Sequence, residues 1–67
     1  MNNAEIGKRL IALRGNRTQA EVAKANHISV AAVGMYERGE RIPRDEVKLS
    51  LAKFYDTTVQ SIFYADE

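Results

Sequence analysis

Residues 18–35 read TQAEVAKANHISVAAVGM, and this segment is the most informative about the fold class. Thr18 is followed three residues later by Glu21, which is the spacing of a helix-capping box. Asn26 and His27 then interrupt the apolar pattern, and both residue types tolerate a positive φ better than most. The stretch therefore predicts two short helices joined by a tight turn.

The rest of the chain carries further helical patterns. Apolar residues recur at spacings of three and four, and glycine, proline and capping residues separate the runs. No alternation of apolar and polar residues is sustained enough for a strand. Asn2, Thr18, Ser29 and Asp45 are expected to cap helices. The predicted helices cover residues 3–14, 18–25, 29–38, 45–55 and 58–64.

Composition fits a single small domain. The chain has 67 residues, of which 45% are hydrophobic, so it can fill one core but not a core and a deep substrate cavity. It has no cysteine and one histidine, so we expect no metal site and no disulfide. These counts, and the lack of a glycine-rich phosphate loop, argue against an enzyme and a cofactor. With no long apolar run and no leader pattern, a soluble cytoplasmic protein is expected.

Charge is divided unevenly along the chain. Residues 1–44 hold eight Lys and Arg against four Glu, a net charge of +4, and residues 45–67 hold two Lys against five acidic residues, a net charge of −3. A basic front and an acidic rear suit a protein that approaches a polyanion with one side. The acidic end, Asp66 and Glu67, is expected to be a solvated tail.

The third predicted helix has two unlike faces at about 100° per residue. The face predicted to join the core holds Ser29, Ala32, Val33 and Tyr36. The opposite face, predicted to point outward, holds Val30, Ala31, Gly34 and Met35. Two short helices joined in this way are the layout of a DNA-binding helix-turn-helix, in which the second helix enters the major groove.

Several short motifs occur in a fixed order along residues 6–64. They are Thr18-Gln19-x-Glu21-Val22-Ala23, Ile28-Ser29, Val33, Tyr36-Glu37-Arg38-Gly39, Pro43, Leu51-Ala52-Lys53 and Val59-x-x-Ile62-Phe63. This combination resembles the Xre/Cro/phage-repressor helix-turn-helix family. The resemblance implies an all-α, five-helix, lambda-repressor-like domain over residues 1–67. Its helix-turn-helix would span about 18–38 and bind operator-like double-stranded DNA.

The resemblance also implies roles for individual residues. Arg14 and Glu37 would form a structural ion pair. Base edges would be contacted by Val30, Ala31, Gly34 and Met35. Phosphates would be contacted by Gln19, Arg38, Arg41 and Arg44, and also, because helix N-termini attract phosphate, by Arg17, Thr18 and Ser29. A homodimer, formed in solution or only on DNA, would use Ile62, Phe63 and Tyr64 as its surface.

The outward face departs from the family pattern, which often has Gln, Arg, Ser or Asn there. Val30, Ala31 and Met35 cannot form bidentate hydrogen bonds with bases, but they can contact thymine methyl groups. Specificity is therefore expected partly from methyl contacts and partly from DNA shape, and affinity from arginines and Lys24 at phosphates. The turn also departs, because His27 stands where the family usually has glycine.

Two classes of function remain open on the sequence. The first is a sequence-specific transcriptional regulator, a Cro-like or repressor-like protein of phage, mobile-element or bacterial origin. The second is a protein-interaction module on the same fold, such as an antitoxin-like or anti-repressor partner, because an exposed apolar face also suits a protein partner. Neither class calls for a small-molecule ligand, a cofactor or a membrane.

Overall fold

The computed structural model describes residues 2–65, which form five α-helices and no strand. The all-α, five-helix architecture predicted from the sequence is confirmed. Asp66 and Glu67, expected to be a solvated tail, lie outside the described residues. The helices are α1 (Asn3–Arg14), α2 (Gln19–Ala25), α3 (Val30–Glu37), α4 (Asp45–Phe54) and α5 (Val59–Phe63).

Side-chain caps set the start of most helices. The Thr18 hydroxyl accepts a hydrogen bond from the backbone N–H of Glu21 at 3.0 Å, and the Glu21 carboxylate accepts one from the backbone N–H of Thr18 at 3.0 Å. The capping box predicted before α2 is therefore confirmed. A cap of this kind stabilises a helix by about 1 kcal/mol. The side chains of Asn2, Ser29 and Thr58 cap α1, α3 and α5, each by accepting one hydrogen bond from the backbone N–H three residues later.

The start of α4 differs from the sequence prediction. Arg44 is its N-cap and makes no side-chain capping bond, so the expectation that Asp45 caps this helix is wrong. Asp45 and Glu46 lie instead in the first turn. Their negative charges are favourable there, because the exposed N–H groups make that end of the helix partly positive.

The core draws on every helix. Within residues 2–65, α1 packs against α3 and α5, α2 packs against α3, and α4 packs against α5. Ala32, Val33 and Tyr36 are buried as predicted, but Ser29 is exposed, because its hydroxyl caps α3 at the surface. None of these helices is long and apolar enough to cross a membrane.

The fifth helix corrects a further expectation. Ile62 is 1% exposed and Phe63 is 0% exposed, so both belong to the core and cannot form a dimer surface. They are among the largest fully buried side chains of the described residues, and a small domain depends on such burial for its stability. Of the three residues predicted for that surface, Tyr64 alone is partly accessible.

A glycine brings α1 and α3 into close contact. A Cβ added to Gly7 would overlap the carbonyl oxygen of Glu37 and would lie 2.9 Å from its carbonyl carbon and 3.2 Å from the Tyr36 carbonyl oxygen. These are backbone atoms, which cannot move aside as a side chain can. The residue at position 7 therefore sets how closely the first helix can approach the third.

Candidate nucleic-acid interface

The turn between α2 and α3 is tight because His27 adopts a left-handed conformation, with φ of 56°. Beside it, Asn26 is only 5% exposed, and both the nitrogen and the oxygen of its side-chain amide are hydrogen-bonded. The Asn26 side chain donates to the Val22 carbonyl at 2.8 Å and accepts from the Ser50 hydroxyl at 2.6 Å. The second bond ties the turn to α4, a link that the sequence pattern did not reveal.

The outward face of α3 is apolar at its N-terminal end. Val30 is 47% exposed, Ala31 is also exposed, and Met35 is partly buried. Gly34 is buried, so the expectation that it is exposed on this face is wrong. The reason is the Arg38 side chain, whose Nη1 lies 2.9 Å from the place that a Cβ on Gly34 would take.

Arg38 is held across this face by a neighbouring carboxylate. Its Nε donates to Glu40 Oε2 at 2.9 Å, and its Nη2 donates to Glu40 Oε1 at 3.2 Å. The hydrogen bond from Arg38 holds the pKa of Glu40 below its ordinary value. Both side chains remain more than half exposed, at 59% for Arg38 and 55% for Glu40, so the pair can be reached by a ligand.

Glu37 is the centre of a network that joins the first three helices. The structure brings together Arg14 and Glu37, the two residues implied to pair, with Arg14 Nε 2.7 Å and Nη2 3.2 Å from the carboxylate oxygens. Gln19 Nε2 donates to the same carboxylate at 2.9 Å. The hydrogen bonds to Glu37 raise the pKa of Arg14. The network fixes the N-terminus of α2 relative to the C-terminus of α3.

Arg17 lies next to the Thr18 cap but points back onto the protein. Its Nη1 donates to the Leu13 carbonyl at 3.1 Å. Its guanidinium carbon lies 5.1 Å from the ring centre of Phe54 and 5.7 Å from that of Tyr55, which is within the range of a cation–π contact. A phosphate contact by Arg17 stays a prediction, and it would need this side chain to leave the aromatic rings.

Two further arginines follow α3. Arg41 is exposed and makes no hydrogen bond or ion pair with any described residue. The Arg44 side chain is 78% exposed and lies 3.4 Å from the carboxylate of Glu46, whose side chain is 73% exposed. An exposed ion pair of this kind is weak, so both guanidinium groups are available to an anionic partner.

A second apolar surface lies between α4 and α5. Leu49 is 56% exposed, and together with Val59 and Tyr64 it borders a shallow groove of about 280 Å³. Lys48, beneath it, is 6% exposed, and its Nζ donates to the Tyr64 hydroxyl at 2.8 Å. Nothing in the sequence pattern singled out Leu49 or the buried Lys48, because a helical stripe does not tell which of its edge residues stays uncovered.

Comparison with known proteins defines the class. A family model described as helix-turn-helix matches residues 8–62, which is most of the chain. The protein therefore belongs to the helix-turn-helix family of the Xre and lambda-repressor type, and the predicted resemblance is confirmed. Membership of this family marks it as a DNA-binding helix-turn-helix domain. No curated protein and no solved structure gave a match.

Proposed function

We propose that this protein is a sequence-specific transcriptional regulator that places α3 in the major groove of double-stranded DNA. One observation carries the proposal. The helix buries Ala32, Val33 and Tyr36 against the core while it leaves Val30 and Ala31 exposed on the opposite side. A helix held by one face and uncovered on the other can enter a groove about 12 Å wide without losing its packing.

Phosphate contacts would supply most of the affinity. Arg41 and Arg44 are exposed basic groups that follow α3 directly, and Lys24 is exposed on α2. Gln19, Thr18, Arg17 and Ser29 are proposed as further phosphate contacts near the starts of α2 and α3. With about four to six contacts per subunit, the logarithm of the binding constant should fall by several units per tenfold rise in salt concentration.

Val30, Ala31 and Met35 are proposed to contact base edges. Their apolar side chains favour thymine, because its methyl group is the apolar feature of the major-groove edge. At base pairs that these side chains do not touch, sequence preference would come from the ease with which the DNA bends or its minor groove narrows. The proposed half-site is accordingly rich in A·T pairs along the part of the groove that Val30 and Ala31 face.

Two single variants separate these roles. Met35→Ala is expected to change the preference among related sites, because it removes an apolar contact with specific bases. Arg44→Ala is expected to weaken all sites by a similar factor and to reduce the salt slope by about 1, because a phosphate carries no sequence information. Fluorescence-anisotropy titrations of each variant on a panel of duplexes measure both effects. If Met35→Ala weakened every duplex uniformly, Met35 would not lie at base edges.

A homodimer is proposed for binding to two half-sites about one helical turn apart. Since Ile62 and Phe63 are buried, the candidate surface is the groove bordered by Leu49, Val59 and Tyr64. Sedimentation equilibrium with and without a selected duplex tests this. We expect two subunits per duplex, and we expect Leu49→Glu to weaken the association of the two subunits. One subunit per duplex at saturation would contradict the dimer.

A protein-interaction module is the second candidate, and the exposed apolar residue Val30 is the observation in its favour. Such a module has no need of the exposed arginines Arg41 and Arg44. Under this alternative, Val30→Asp would abolish partner binding, and the protein would not bind duplex DNA even at low salt.

A further inference from the structure

Arg38, which directly follows the last residue of α3, lies in the middle of the outward face of this helix. Arg38 is the C-cap residue and keeps a right-handed helical conformation, with φ of −84° and ψ of −3°. Helical geometry therefore extends to it. With Val30 set at zero, Gly34 lies at about 40°, Arg38 at about 80° and Met35 at about 140° around the axis. Arg38 is thus flanked by the residues proposed to contact bases.

Gly34 provides the space that Arg38 occupies. The position of a Cβ on Gly34 lies 2.9 Å from Arg38 Nη1, 3.6 Å from Cζ and 3.7 Å from Nη2. A side chain at position 34 would fill the surface on which the guanidinium lies. Gly34 is itself buried, although it belongs to the outward face. The glycine at position 34 therefore makes room for the Arg38 guanidinium, and this role does not depend on its backbone conformation.

Glu40 occupies one edge of the guanidinium and leaves the other edge available. Nε and Nη2 form the side edge, and both donate to the Glu40 carboxylate. Nη1 makes no hydrogen bond with any described residue. A guanidinium has five N–H donors in a fixed plane, so three remain, and they include the pair on the terminal edge. That pair matches two adjacent acceptors on a flat partner.

We propose that Arg38 reads a guanine in the major groove through this terminal edge, with Glu40 as the residue that positions it. The inference rests on the proposed DNA-binding function. Guanine presents N7 and O6 side by side in the major groove, and arginine donates to both. The face formed by Val30, Ala31 and Met35 would thereby gain its hydrogen-bonding group. Each half-site should contain one G·C pair next to the positions that these apolar residues contact.

The experiment measures discrimination at single base pairs. Binding-site selection with the unsubstituted protein gives a duplex, and each of its pairs is then replaced in turn. The unsubstituted protein should bind about 10- to 100-fold more weakly when the critical G·C pair is replaced. The ratio of the binding constants for the original and the replaced duplex measures this discrimination. Arg38→Met should reduce the ratio at the critical G·C pair to near 1, while the ratios at the other base pairs stay the same. Arg41→Met, the same change at an exposed arginine, should weaken all duplexes and leave the ratio intact.

Two more variants test how Arg38 is positioned. Glu40→Gln keeps the size of the side chain but loses its charge, and it should lower the ratio at the same G·C pair without altering the others. Gly34→Ala should do the same by displacing the guanidinium, and it should not lower the melting temperature, because the displaced atoms are the end of a flexible side chain. An unchanged ratio at that G·C pair in either variant, whether or not its stability falls, would overturn the positioning role of the residue replaced.

The outcomes separate the inference from the function on which it rests. If Arg38→Met weakens all duplexes equally, Arg38 contacts phosphate and the inference is wrong, while the DNA-binding function stands. A selected site without a G·C pair whose replacement is sensed through Arg38 would also overturn the inference. If the unsubstituted protein binds no duplex at low salt, both the inference and the proposed function fail.

Discussion

Replacing Gly7 with alanine is expected to lower the free energy of unfolding by about 3 kcal/mol, at the upper end of the usual cost of overpacking. The new Cβ would overlap the Glu37 carbonyl oxygen and lie 2.9 Å from the carbonyl carbon, so α1 and α3 would have to move apart. The usual gain of alanine over glycine in a helix, about 1 kcal/mol, is too small to compensate. A chain of 67 residues has a total stability of about 3–10 kcal/mol, so much of it would be lost.

Gly34→Ala is the matched control, since it is the same change in another helix. Its Cβ would meet the end of the Arg38 side chain, which can move, and not the backbone. We expect its melting temperature to equal or exceed that of the unsubstituted protein, while that of Gly7→Ala falls by at least about 12 °C. Equal melting temperatures for the two variants in a thermal scan would contradict the close packing of α1 on α3.

Replacing Glu37 with alanine is expected to cost about 2–3 kcal/mol. The change removes the acceptor for both Arg14 and Gln19 and leaves a guanidinium at the junction of three helices without its carboxylate. Breaking a buried ion pair by removing one partner costs about 3–5 kcal/mol. We expect a cost at or below the lower end of this range because the Arg14 side chain is 22% exposed and water can solvate part of it.

Glu37→Gln provides the graded comparison. It keeps the side-chain size and one acceptor oxygen but loses the charge that Arg14 faces, so its cost should be intermediate. Urea denaturation of both variants measures the free energy of unfolding, and the slope m should be unchanged, because the same surface is exposed on unfolding. A Glu37→Ala variant as stable as the unsubstituted protein would mean that the network orients α2 and α3 without stabilising them.

Most features that depend on residues close together in the chain could be predicted from the sequence. The bounds of α1 matched the prediction, and the Thr18 capping box formed as expected, because a cap is made by residues three apart in the chain. His27 was expected in the turn and does take the positive φ there. Asp45 failed as a predicted cap because the chain enters α4 one residue earlier, and Arg44 takes the capping position without a side-chain bond.

Contacts between distant parts of the chain could not be predicted from such local patterns. The hydrogen bond from Ser50 to Asn26 joins residues 24 apart, and no periodicity marks it. Ile62 and Phe63 were assigned to a surface because helix amphipathicity does not reveal which neighbour covers a face, and here the core covers it. Gly34 was assigned to the exposed face by its angle, but an arginine one turn further along the helix buries it.

Our main proposal is that the exposed side of α3 meets duplex DNA. Its most direct test is a mobility-shift titration of the unsubstituted protein with a duplex from its own promoter region and with a random duplex, both at low salt. We predict binding to both duplexes, tighter to the first, with affinity that falls steeply as salt is added. Unchanged mobility of both duplexes at low salt would contradict the claim.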